Sequence, residues 1–320
     1  MPADPVPGPI VAGARLGHAT TAEGTTGVTA VVFDRATPTV VDVRGGASAT
    51  YDLASLGLSA TFGRRWAIFF AGGSVFGLDA AAGIRERIRE EGGGHAVFEQ
   101  PRRIAPVSGA ALFDLPPGDG PVPEYRPLGY AAARAARPGP VATGRVGAGA
   151  GATVGKYRGR DRAMHGGIGW ATGRLGGGRV GVLVALNASG AIRDPATGRW
   201  VAGARDLRGR IVAPGPARTD AGSEPNTTLA LLATDLAVDR PTLYRAVAIA
   251  HAALGAAIVP FHASVDGDLM FGAATGTAPA PLERRPGATA DALGLAAAEC
   301  AVRAAVDGVR AANAGRRRRS

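Results

Sequence analysis

The run TLALLAT inside EPNTTLALLATDL, Glu224–Leu236, constrains the fold of this chain most. It is uncharged, too short to cross a membrane, and bounded by polar residues. It therefore reads as a buried strand, an element that needs packed layers around it. An Asn and two threonines stand directly before it. Strand propensity explains a Thr at that point. A second explanation is that the Asn226–Thr227 bond is cut and Thr227 becomes a nucleophile. The four letters alone favour the first.

The rest of the chain reads as mixed strands and helices. GVTAVVF (27–33) and TVVDVRGG (39–46) are expected as two strands of a hairpin turning at Asp34–Pro38. Val75, Leu78, Ala82 and Ile88 space a helix that Gly92–Gly94 would end. Gly72 and Gly73 before it could cradle an anion, but the fuller glycine motifs are missing, so close backbone packing is the simpler role. IAPVSGAALF holds a short strand, and Tyr130–Gly139 is a short helix. Val180–Leu186 is the clearest strand, ended by Asn187-Ala-Ser-Gly190. The aperiodic stretch Trp200–Glu224 is the best linker candidate. Thr227–Thr234 forms the buried strand. Asp239 caps a helix with Pro241 in its first turn. Phe261–Thr275 is a strand pair, or one strand bent at Asp266-Gly267-Asp268. A long helix from Ala288 to Asn313 closes the chain. No internal repeat and no regular βαβ alternation are visible, which argues for a single α+β domain with layered sheets over residues 1–320.

Composition excludes several classes. The net charge of +10 invites a nucleic-acid reading, but four of those charges sit in Arg316–Arg319, expected as a frayed tail. The other arginines alternate with acids and do not interleave with aromatics, so no nucleic-acid partner is expected. No uncharged apolar stretch reaches about 18 residues, so no membrane span is expected. The opening MPADPVPGPIVAG lacks the features of a signal peptide. One cysteine, Cys300, allows no internal disulfide and sits in an apolar helical pattern. A cytoplasmic location is the corresponding expectation. His18, His95, His165, His251 and His262 show no metal-ligand spacing. Even His262, near Asp266 and Asp268, is not read as a ligand, so neither metal nor cofactor is expected.

One bias is sharper. Of 36 basic residues, only Lys156 is a lysine. A lone lysine against an arginine background is either a leftover of drift, which the residue alone favours, or a position that needs a compact ammonium, which Arg does not supply. Hydrolysing an amide needs a nucleophile, a base and donors for the oxyanion. No G-x-S-x-G elbow exists here. An N-terminal threonine would carry its own base, because its α-amine, with a free pKa near ~8, can take the hydroxyl proton.

EPNTTLALLATDL, VPFHASVDGDLMF, VGKYRGR, VALNASG, VDVRGG and AGGSVFGLDAAAG together, in this family's order, resemble the DmpA / nylon-oligomer hydrolase (NylC-like) family of self-processing N-terminal-nucleophile aminopeptidases. The resemblance runs from about Gly27 to Asp307. It implies a four-layer αββα sandwich, cut into residues 1–226 and 227–320 that stay together. It implies Thr227 as nucleophile, Asn226–Thr227 as the autocleavage site, and Asn187 as an oxyanion donor. Lys156 would keep the α-amine neutral, and Asp266 and Asp268 would orient Thr227 and relay a proton. Thr227 with two aspartates leans to the nylon-oligomer branch, because DmpA-like members use Ser with Ser and Glu. Phe76 stands where several members carry tyrosine, so a pocket phenol would be missing. The implied substrates are small linear amides or peptides: 6-aminohexanoate oligomers, or peptides with β- or D-amino acids. The implied assembly is a homo-oligomer, a tetramer in many members. Two other classes stay open: an acyltransferase resembling ornithine acetyltransferase, and a non-catalytic scaffold.

Overall fold

Residues 27–43 are one strand of 17 residues, and that strand organises the molecule. The computed structural model describes residues 10–96, 101–215, 226–281 and 285–314. Among these, eight strands are five residues or longer: β1 (Ala14–Thr20), β2 (Gly27–Val43), β3 (Arg64–Ala71), β4 (Val107–Ala111), β5 (Ile168–Leu175), β6 (Gly178–Asn187), β7 (Thr227–Leu236) and β8 (Leu269–Ala278). The α-helices are α1 (Ala80–Glu90), α2 (Tyr125–Arg134), α3 (Arg240–Ala253) and α4 (Ala288–Asn313).

The strands follow one path, β5-β6-β7-β8-β2-β3-β4, with β1 beside β2 and a short edge strand, Ala49–Tyr51, beyond β4. The β7/β8 and β3/β4 pairs are parallel and the others antiparallel. The path folds into two leaves at β2. Its first half pairs with β1 and β3, and its last five residues pair with β8. The leaves face each other. Phe70 of β3 stacks on Phe271 of β8 with ring centroids 6.4 Å apart, amid Val31, Ile68, Leu183, Leu231 and Leu269. On the outer faces α1 and α2 cover one leaf and α3 and α4 the other.

Strict alternation explains these layers. In β7, Leu229, Leu231 and Ala233 enter the core between the leaves, while Ala230 and Leu232 enter the core under α3 and α4. Every residue of β7 is buried. A strand covered on both faces has no place for a charge until its end, as its sequence indicates. The expected four-layer αββα sandwich is therefore the observed fold, and Cys300 lies in its outer core.

Several local expectations need correction. Asp34–Pro38 is not a reversal. The β2/β3 register shifts between Val32 and Thr37 and the strand bends into the second leaf instead of turning back. The true hairpin partner is β1, with Thr20 opposite Gly27. Val75 and Phe76 are half exposed in a 3₁₀ turn, Ser74–Asp79, and α1 begins only at Ala80. Gly72 and Gly73 are close-packing glycines: a Cβ would stand 2.0 Å from Thr26 Oγ1 at the first and 2.2 Å from the Tyr125 hydroxyl at the second. Helix α2 lies five residues earlier than the spacing suggests, at Tyr125–Arg134. Part of the linker candidate is structured, since Trp200–Ala202 pairs with Ala191–Arg193. Its last residues, 216–224, lie outside the described residues, as does Arg316–Arg319. From Phe261 on, one strand forms, and only from Leu269. Asp239 caps α3 as expected, its carboxylate accepting from Thr242 N at 2.9 Å. No helix among the described residues is long and apolar enough to cross a membrane.

Candidate active site

Topology brings the dispersed motifs together. Strand β6 runs antiparallel to β7, so Asn187 at its end opposes Thr227 at the start of β7. Strand β8 runs parallel to β7, so the residues entering the two strands are neighbours too. Asn226 forms a parallel bridge with Asp266. Lys156 arrives from a glycine-rich loop. Gly155 N–H donates to Gly190 O at 2.9 Å and Lys156 N–H to Ser189 O at 3.0 Å, which pins the loop beside Asn187. Gly155 has a φ of +82°, and a Cβ there would lie 2.2 Å from the Gly203 backbone, so only glycine makes this approach.

The Lys156 ammonium is buried and donates to four oxygens: Thr153 O (2.9 Å), Thr153 Oγ1 (3.3 Å), Asn187 O (2.9 Å) and Asn187 Oδ1 (3.0 Å). Asn187 Oδ1 also accepts from Thr153 N at 3.0 Å, and its Nδ2 donates to Phe113 O at 2.8 Å. Two donors on one side and an acceptor on the other fix the amide's orientation. One N–H of Asn187 is thereby committed to Phe113, which leaves the second for other work.

Thr227 is buried. Its Oγ1 donates to the Asn226 carbonyl oxygen at 2.5 Å, and that oxygen also accepts from Gly267 N–H at 2.7 Å. Asp268 Oδ1 accepts from Thr228 N at 2.6 Å. Its Oδ2 accepts twice from His262, from the backbone N at 3.0 Å and from Nδ1 at 3.1 Å. His262 holds a left-handed φ of +62° to make both contacts, and its ring stacks on Phe261 with centroids 3.7 Å apart. Among the described residues no three His, Cys, Asp or Glu side chains converge as metal ligands do.

Asp266 Oδ2 accepts from Ala263 N at 2.9 Å, while Oδ1 is buried with no hydrogen-bond partner among the described residues. Burial, and then the nearby Asp268 charge, push this carboxyl up to about 6, against the pull of the Ala263 N–H and Lys156. Asp114 also rises to about 6 by burial, although it accepts from Gly73 N–H at 2.8 Å. Both groups hold a proton more tightly folded than unfolded. Their neutral forms stabilise the fold below pH ~4, and this is lost as pH rises through about 6. Asp266→Asn is expected to show a shallower slope over that window, with only the Asp114 dependence remaining, and to gain about 1–2 kcal/mol at pH 7.5, after solvent screening is allowed for. Thermal unfolding at pH 4.5 and 7.5 checks this, and an unchanged slope would contradict it.

The structure thus gathers Thr227, Asn226, Asn187, Lys156, Asp266 and Asp268. Phe76 is half exposed in the Ser74–Asp79 turn. One chain of contacts from its turn to the group runs through Gly73, Asp114, Phe113 and Asn187. Sequence reasoning missed Thr153 and the Phe113 carbonyl, which orient Lys156 and Asn187. The three-residue spacing of Thr153 and Lys156 was the one available signal, since a backbone acceptor leaves none.

The description "Peptidase family S58" matches residues 10–319 of this chain. An uncharacterized aminopeptidase of Mycobacterium tuberculosis is 36% identical over 305 residues, spanning 88% of this chain and 85% of that protein. A 6-aminohexanoate-oligomer endohydrolase of Paenarthrobacter ureafaciens is 32% identical over 303 residues, 90% of this chain and 81% of that protein. A β-aminopeptidase of Burkholderia sp. superposes with a TM-score of 0.64 at 22% identity, covering 95% of this chain and 86% of its own. The L-aminopeptidase D-Ala-esterase/amidase of Ochrobactrum anthropi, an Ntn-hydrolase fold variant, superposes with a TM-score of 0.67 at 18% identity, covering 98% and 89%.

Proposed function

We propose, from the premise that this chain belongs to peptidase family S58, that it cuts itself between Asn226 and Thr227 and then hydrolyses linear amides with the freed Thr227. The family makes it an amidohydrolase or aminopeptidase. The observation that carries the finer reading is the Thr227 hydroxyl on the carbonyl of its own preceding residue, 2.5 Å from the oxygen, at the mouth of a rigid buried strand.

In the first step Thr227 Oγ bonds to the Asn226 carbonyl carbon, and the carbonyl π pair moves onto oxygen. The hydroxyl proton passes to Asp266, whose open oxygen and raised pKa suit a base near neutrality. Collapse breaks the C–N bond, and the departing nitrogen takes that proton. Water then cleaves the ester, giving an Asn226 carboxylate and a free Thr227 amine. In turnover that amine is the base. Thr227 Oγ attacks the substrate amide, the amine product leaves protonated, and water releases the acyl group. Lys156 favours the neutral amine, Asp266 and Asp268 orient it, and the second N–H of Asn187 faces the developing oxyanion.

The substrates proposed are 6-aminohexanoate oligomers, with β- or D-amino-acid peptides as the second class. The 32% identical endohydrolase supports the first, and Thr227 with two aspartates leans the same way. No cofactor takes part. Exposed Phe62 and Leu207 offer apolar surface for the proposed tetramer. The test is incubation of the purified protein with linear 6-aminohexanoate oligomers and with β- and D-aminoacyl anilides, with and without ornithine, following new amine and acyl products. Oligomer cleavage independent of ornithine is the expected result. Acyl-ornithine formation would place the chain with the acyltransferases, and inertness toward all of them would favour a scaffold.

A further inference from the structure

We infer that the backbone N–H of Gly267 is the oxyanion donor for the self-cleavage step, and that position 267 is glycine so that the Thr227 hydroxyl can lie against it. This rests on the self-cleavage proposed above. The N–H of Gly267 lies 2.7 Å from the Asn226 carbonyl oxygen, the atom that gains charge when Thr227 attacks. It is held from both sides. Ala47 N–H donates to Asp266 O at 3.0 Å, and Arg44 N–H donates to Asp268 O at 3.0 Å. The donor is therefore fixed before charge develops.

The second observation concerns space. A Cβ at Gly267 would stand 2.8 Å from Thr227 Oγ1, 3.0 Å from Ala47 O and 3.1 Å from the Ser48 Cα. The nucleophile itself fills the place of a side chain. Donor and nucleophile thus meet at one peptide unit: the N–H polarises the carbonyl while the absent Cβ leaves room for the attacking oxygen. When the Oγ–C bond forms, the carbonyl π pair moves onto the oxygen that Gly267 N–H already holds. When the C–N bond breaks the pair returns, and no other reactant is needed. The acidic residues on either side, Asp266 and Asp268, then carry proton transfer and orientation, while the glycine between them carries the charge.

The test uses full-length chain made by cell-free translation with glycolate in place of Gly267, which exchanges the N–H for an ester oxygen, keeps every side chain, and weakens the Asp266 carbonyl as an acceptor just as the control below weakens that of Arg44. The control carries glycolate at Gly45, losing an N–H whose acceptor, Asp268 O, keeps a second donor in Arg44 N at 3.0 Å. Cleavage is followed by intact mass, and folding by thermal unfolding. The expected result is a 10²–10³-fold slower cut with Gly267→glycolate and a rate within about threefold of wild type with Gly45→glycolate. Near-wild-type cutting of the first, or equal slowing of both, overturns the inference. Gly267→Ala keeps the N–H and gives an independent reading. It should cut at least ten times more slowly because its Cβ displaces the hydroxyl, and wild-type speed would also overturn the inference. A wild-type chain that never cuts is a different result, and refutes the self-cleavage reading itself.

Discussion

Thr227→Ala is expected to remain one chain of 32.1 kDa under conditions where wild type separates, on denaturation, into pieces of about 23 and 9 kDa, scaled by length. The smaller piece should begin at Thr227. The effect is all-or-none because the alanine has no oxygen to place on the Asn226 carbonyl. Thr227→Ser should still cut, within about tenfold of wild type. It keeps the oxygen but loses the second Cβ branch that stiffens χ1, so the hydroxyl spends part of its time in other rotamers. Intact mass on freshly purified protein reads all three. A wild-type chain whole after long incubation would remove Thr227 as an N-terminal nucleophile, because it would have no free amine.

Lys156→Met is expected to slow self-cleavage at least 100-fold and to lower stability by about 3 kcal/mol. The variant keeps the side chain's length and burial but strands the oxygens of Thr153 and Asn187 that the ammonium satisfies. Asn187 Oδ1 would then depend on Thr153 N alone, and its amide, still directed by Thr153 N and Phe113 O, would be held less firmly. Lys156→Arg should not rescue it. The acceptors surround one compact donor, and a planar fork would need a larger space and a different geometry. Urea unfolding and cleavage kinetics report the two effects separately. A Met variant that cuts as fast as wild type would assign Lys156 a packing role only.

The legible parts of the sequence were those whose partners are close along the chain or whose environment is uniform. TTLALLATDL showed its burial because both faces of β7 are covered, and Asp239 showed its cap because the capped amide is three residues away. The long strand β2 was misread because Asp34–Pro38 has the composition of a turn. Whether such a segment turns or merely bends depends on β8 being available to receive the second half, and β8 lies more than 200 residues later. Val75 carried a helical spacing, but glycines on either side hold it in a 3₁₀ turn. Within the site, Lys156 stood out by scarcity. Asp266 and Asp268 could be placed only through the family resemblance, because what joins them to Thr227 is a parallel pairing across a whole helix. The Gly267 amide and the Phe113 carbonyl carry no side-chain signature, so no residue pattern announces them.

The strand order has a consequence for the molecularity of folding. The segment after the proposed cut contributes β7 and β8, which lie side by side between β6 and β2 of the segment before it. The smaller fragment is therefore clasped along both edges, and releasing it means tearing two ladders at once. An uncut chain folds as one molecule and is indifferent to dilution. A cut one unfolds by dissociation, and its apparent stability changes by about 1.4 kcal/mol for each tenfold change in concentration. Re-forming it requires two fragments to meet by diffusion, and the smaller of them carries only the β7/β8 pair of the sheet. The scissile bond is thus best broken after the sheet has closed. The bond is assembled by the same pairing that later makes it dispensable, so a chain that folds first and cuts second keeps an architecture that its separated pieces would rarely find again.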